Sequence, residues 1–162
     1  MRYEELAKLI FTEIKPKLEN HQGLSIFARE RAKFEGWLKA ELCDSLSKYF
    51  RDVAPERHKI DVTFYNWAIE LKTVNTNYRY KNVEVKTRPI TKNIQGVIDD
   101  VESLKSSPYE NRAILFVVFP VTHDNGDWQD HLGKITSLLR EIKHTSFNFI
   151  NFIPGVIYFG MV

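Results

Sequence analysis

The sequence predicts an α/β domain in which helices flank a mixed central sheet, and three observations predict it. Apolar and polar residues alternate from Lys59 to Thr73 on either side of Tyr65-Asn66, the period of a β-hairpin. Ala113 to Phe119 is an unbroken apolar run, as in a central strand covered on both faces. Around these lie stretches whose apolar residues recur every three or four positions, as in helices packed by one face. A chain of 162 residues, 43% of them hydrophobic, can bury one sizeable core but not two, so residues 1–162 are expected to form a single domain. Within it, 1–24 reads as an N-terminal packing helix, 25–119 as the core, and 120–162 as a C-terminal helix and strands.

In chain order, Tyr3, Leu6, Leu9, Ile10, Ile14 and Leu18 mark the first helix, with Pro16 bending or ending it. Asn20 to Gly23 reads as a turn. Ser25 is placed to cap a long second helix running to about Phe50, with Phe34, Leu38, Leu42, Leu46 and Tyr49 as its buried stripe. The hairpin follows. Val74 to Lys92 is polar and irregular, with a third strand expected near Val83-Glu84-Val85-Lys86. Thr91 can cap a helix with the stripe Ile94, Val97, Ile98, Val101 and Leu104, on which Asp99, Asp100 and Glu102 form an exposed acidic face. After the apolar strand come a turn at His123 to Gly126 and a helix from Trp128 to Ile142. Two aromatic-rich strands then flank a Pro154-Gly155 turn.

The hairpin carries the chemistry. With its turn between Tyr65 and Asn66, Phe64 faces Trp67, Val62 faces Ile69, and Asp61 lies opposite Glu70. Ile60, Val62, Phe64, Trp67, Ile69 and Leu71 then form one apolar face, and Asp61, Thr63, Ala68, Glu70 and Lys72 the other. Opposed like charges destabilise a sheet by up to about 1 kcal/mol, so a positive charge is called for. Lys72 can supply it, and so can Mg²⁺, which favours one or two carboxylates with water completing its shell. The competing reading is a wet face of solvated charges. Further on, Arg79 to Lys92 holds five basic residues against one acid, with Tyr78 just before them and Tyr80 among them. Tyr78, Arg79, Tyr80, Lys81, Lys86, Arg88 and Lys92 can pair with phosphates and stack on bases, or form an ordinary solvated edge.

Asp61 followed by Glu70-Leu71-Lys72 resembles the signature of the PD-(D/E)XK nucleases, the restriction-endonuclease-like superfamily, with Ile60 where the pattern has Pro. The resemblance covers roughly Ala28 to Phe119 and implies an α-β-β-β-α-β core. It also implies a site in which Asp61, Glu70 and the Leu71 carbonyl hold Mg²⁺ or Mn²⁺, and in which Lys72 positions or deprotonates the attacking water. On the preceding helix Glu35, with Glu41 as second candidate, would complete the metal shell, and Gln95 would orient Lys72 or the water. The function implied is hydrolysis of DNA phosphodiester bonds, with a homodimer among the open arrangements. The alternatives are a catalytically silent nuclease-like module that binds nucleic acid or a protein, and a plain structural subunit.

Other chemistries find less support. The seven glycines form no phosphate-binding loop, and no Gly-x-Ser-x-Gly elbow occurs. The five histidines include no i, i+4 pair, although His123 and His131 could meet Asp124 or Asp127 around a metal. A single cysteine, Cys43, excludes an internal disulfide and suits a reduced, cytoplasmic setting. No apolar run approaches the roughly 18 residues of a membrane span, and a chain without a cleaved signal is expected.

Overall fold

The first helix, α1 (Tyr3–Glu19), forms where the periodicity places it, and buries Tyr3, Leu6, Ala7, Ile10, Ile14 and Leu18. Pro16 does not end it: at this position the ring forfeits one backbone donor, and the last turn closes with Asn20 N–H on the Pro16 carbonyl at 3.1 Å. The computed structural model describes residues 1–85 and 89–162.

The long second helix is in fact two, α2 (Gln22–Arg29) and α3 (Glu35–Ser47). Ser25 sits inside α2, its hydroxyl donating to the Gln22 carbonyl, and His21 Nδ1 caps the helix by accepting from Leu24 N–H. The break comes at Arg31, whose φ of 55° lies in the left-handed region. Leu38, Leu42 and Leu46 are buried as expected, whereas Tyr49, beyond the end of α3, is 53% exposed.

Arg31 explains its own backbone strain. Its side chain is 6% exposed, and the guanidinium donates to the carbonyls of Thr76, Tyr78 and Glu84, tying down the segment that follows the hairpin. Arg31→Met should therefore cost about 3 kcal/mol, because three carbonyls lose their donor at once, two of them in part-buried surroundings. Urea unfolding of the variant measures this, and a loss below about 1 kcal/mol would refute the tie.

The sheet has six strands in the order β1-β2-β3-β4-β6-β5: β1 (Ala54–Pro55), β2 (Val62–Phe64), β3 (Trp67–Asn75), β4 (Asn111–Phe119), β5 (Glu141–Asn148) and β6 (Pro154–Met161). The hairpin register is the expected one, Val62 opposite Ile69 and Phe64 opposite Trp67. β3 and β4 run parallel, joined by α4 (Ile90–Lys105), and the other neighbours are antiparallel, so the sheet is mixed. Helices cover both faces. One core joins α1, α2 and α3 to Val62, Phe64, Ile69, Leu71 and alternate residues of β4 and β6. The other joins α4 and α5 (Gly126–Thr136) to Val74, Ile114, Phe116, Val118 and Tyr158.

Several local expectations are corrected. No strand forms among the described residues between Thr76 and Pro89, and the extra strand is instead β1, before the hairpin. Ile60 leaves the main apolar face and packs with Ala68 and Leu104, while Thr63 and Ala68, assigned to the polar face, are fully buried. Pro89 rather than Thr91 occupies the cap position of α4. The helix from Trp128 ends at Thr136, because from Glu141 the chain pairs with β6, and Leu138, Leu139 and Ile142 reach the second core from a turn and a strand. Pro154-Gly155 lies within β6, with Gly155 leaving room for the Phe147 ring across the strand pair, and the left-handed residue of that turn is Phe152.

Candidate active site

The site is built where β2 is too short for its partner. β2 pairs only with Trp67–Ile69, so beyond Ile69 the near edge of β3 has no strand beside it. Two carboxylates take the vacant positions. Asp61 Oδ2 accepts from Leu71 N–H at 2.8 Å, and Glu35 Oε1 from Thr73 N–H at 3.0 Å. Glu35 begins α3 immediately after Phe34, whose buried ring fixes the entry of the helix against the core. Glu41, the second candidate, points elsewhere and pairs with Lys17 of α1 at 2.6 Å.

Asp61 and Glu70 come together across the hairpin and share a hydrogen bond. Burial and the neighbouring Asp61 push the Glu70 carboxyl up to about 9, so without a cation it holds a proton at neutral pH. Burial works in the same direction on Asp61. Bonds from Glu70, Lys39 and the Leu71 N–H outweigh it and keep Asp61 below the usual carboxylate range. Glu70 also lines a cleft of about 230 Å³ bounded by His58, Lys59, Ser103 and Ser107.

Lys72 lies on the same face of β3 as Glu70 and forms an ion pair with Asp100 of α4 at 2.9 Å. Burial lowers its affinity for a proton, but Asp100, Glu35 and Asp61 more than restore it, so Lys72 is a cation and not a neutral base. Gly96 makes this possible: a Cβ there would stand 3.1 Å from Lys72 Cε. Asp100, expected on an exposed face, is thus half-buried, and burial raises its carboxyl despite Lys72. Gln95 does not reach the site; it is exposed and donates to Asp99 at 2.8 Å.

Lys39, which the sequence did not single out, lies one turn after Glu35 on α3 and bonds Asp61 Oδ1 at 2.6 Å and the Glu56 carboxylate. A Lys on an amphipathic helix carries no signal of such a role.

The basic stretch divides. Tyr78 and Tyr80 are half-buried and pack on the second and first cores, so only part of each ring reaches the surface. Arg79, Lys81 and Lys92 are exposed, and Lys86 and Arg88 lie outside the described residues. His123 stacks on His144 at 3.6 Å and bonds Tyr158, so it does not join His131 around a metal. Among the described residues no group of three or more His, Cys, Asp or Glu is poised as a ready metal cage, and no helix is long and apolar enough to cross a membrane.

The donors present suit one class of ion. Asp61 and Glu70 offer hard oxygens, and Glu70 keeps a proton that a cation would displace. In a strand the N–H and C=O of one residue point the same way, so the Leu71 carbonyl faces the open edge where its N–H meets Asp61. Two carboxylates and a carbonyl, with water and substrate oxygens for the rest, match Mg²⁺ better than Zn²⁺ or Ca²⁺. Compared with known proteins, the chain matches no family model, no curated protein and no solved structure.

Proposed function

We propose that this chain is a Mg²⁺- or Mn²⁺-dependent nuclease of the restriction-endonuclease-like type that hydrolyses DNA phosphodiester bonds. The observation that carries the reading is the Asp61–Glu70 pair, two carboxylates in contact at an open strand edge with a lysine cation on the same face. The order α3-β1-β2-β3-α4-β4, with β3 and β4 adjacent and parallel, agrees with an α-β-β-β-α-β core.

Asp61, Glu70 and the Leu71 carbonyl would hold the ion. When bound, it activates water as a nucleophile and offsets charge on the phosphoryl oxygens. Lys72, held as an ammonium by Asp100, stands ready to stabilise the negative charge that builds up in the transition state, where a preorganised cation acts most strongly. Its raised proton affinity favours this role over that of general base. Glu35 fixes the edge of β3 through Thr73 and keeps the Leu71 carbonyl in place. The exposed Arg79, Lys81 and Lys92 follow the hairpin and are free to meet backbone phosphates.

Labelled DNA incubated with the protein should be cut in Mg²⁺ or Mn²⁺ and spared in EDTA. Lys72→Met should slow cutting about 10²- to 10³-fold while Mn²⁺ still binds. A wild-type chain that binds DNA but cuts no DNA substrate with either ion would favour the silent binding module.

A further inference from the structure

Lys39 is the cation nearest Asp61, and its setting gives it a role beyond structure. Asp61 spends one oxygen on the Leu71 N–H and the other on Lys39 Nζ at 2.6 Å. Both side chains are about one-fifth exposed, at 22% and 21%, so water does not readily replace either partner. Lys39 rises from α3 one turn past Glu35, whose own carboxylate is fixed on Thr73, which anchors the base of the lysine stem. Its ammonium also bonds Glu56, a residue held in the left-handed region at φ 57° whose N–H donates to the Asp61 carbonyl at 3.2 Å. The Glu56 carboxylate is 66% exposed, so it offers Lys39 a second acceptor facing solvent.

We propose that Lys39 is a tethered counter-ion occupying the place beside Asp61 that a divalent cation must take, and that it thereby sets how tightly the site holds Mg²⁺. The inference rests on the metal-dependent reading above. As the ion arrives, Lys39 gives up Asp61 Oδ1 and stays with Glu56, so neither its ammonium nor the carboxylate is left buried without a partner. The exchange loads the site only at the ion concentration needed to outcompete a covalently attached rival.

Calorimetric titration of Mn²⁺ into the wild type, Lys39→Met and Lys39→Arg tests this. Lys39→Met should bind about ten- to a hundredfold more tightly than the wild type, as expected when a unit charge a few ångströms from the ion is removed under solvent screening. Lys39→Arg, which keeps the charge, should stay near the wild type. Unchanged or weaker binding by Lys39→Met beside clear wild-type binding overturns the role of Lys39 and leaves the metal site standing. Absence of binding by all three proteins overturns both. A measurement on the wild type alone does not depend on how the variants fold: the Lys39 ¹³Cε resonance should move during a Mg²⁺ titration with the calorimetric midpoint. A resonance unmoved at saturation overturns the proposal.

Discussion

Asp61→Asn is expected to abolish Mg²⁺-dependent cleavage, by about 10³-fold or more, while the chain stays folded. The amide oxygen can still accept from Leu71 N–H, so the capped edge of β3 survives. What disappears is the negative charge that pairs with a cation, and with it several kcal/mol of transition-state stabilisation at about 1.4 kcal/mol per tenfold in rate. Asp61 is also the larger source of the raised Glu70 carboxyl after burial, so the variant should bring the Glu70 titration down toward its ordinary value. Cleavage assays, with ¹³C NMR of the Glu70 carboxyl, check both parts. Cleavage within tenfold of the wild type would remove Asp61 from the site.

Glu70→Gln should do the opposite of most substitutions at a half-buried site: it should stabilise the ion-free protein near pH 7. The Glu70 carboxyl is raised from 4.5 in the unfolded chain to about 9 in the folded one. The folded state therefore holds a proton that the unfolded state releases. Its contribution is complete below about pH 4.5 and is lost progressively as pH rises toward about 9. At neutral pH the wild type carries this penalty and the amide does not. Allowing for the solvent that reaches a half-buried group, the gain is about 1–2 kcal/mol, or roughly 3–6 °C in Tm. Mg²⁺ should raise the Tm of the wild type and leave that of the variant unchanged. Thermal melts at pH 5 and pH 7, with and without Mg²⁺, read all of this. A variant less stable than the wild type at pH 7, or one still stabilised by Mg²⁺, contradicts the shared-proton pair.

How much of this was legible in the sequence follows from which interactions are local. The hairpin register was readable because alternation from Ile60 to Leu71 leaves only one way to bury Val62, Phe64 and Ile69 on a single face. The same alternation misplaced Ile60, since a residue at the strand end answers to what packs there, in this case Leu104. The break between α2 and α3 was hidden because the left-handed residue is an arginine rather than a glycine or asparagine, held by carbonyls some 45 to 53 positions away. Lys39 and Asp100 were invisible for a similar reason. Charges on helices usually find solvent or an i+4 partner, and only the folded chain brings these two to Asp61 and Lys72. Gln95 fails by one helical position, since it is the neighbouring Gly96 that faces Lys72.

The short reach of β2 has one more consequence. An unpaired strand border invites another polypeptide to zip onto it, the first step toward aggregation. Here the two backbone donors such an intruder would need are already claimed by acids anchored in α3 and in the turn before β2. An approaching strand, offering only neutral carbonyls, would have to evict charged acceptors that bind those donors more strongly. The groups assigned to chemistry thus also occupy the backbone donors of Leu71 and Thr73 that a neighbouring strand would need at this border.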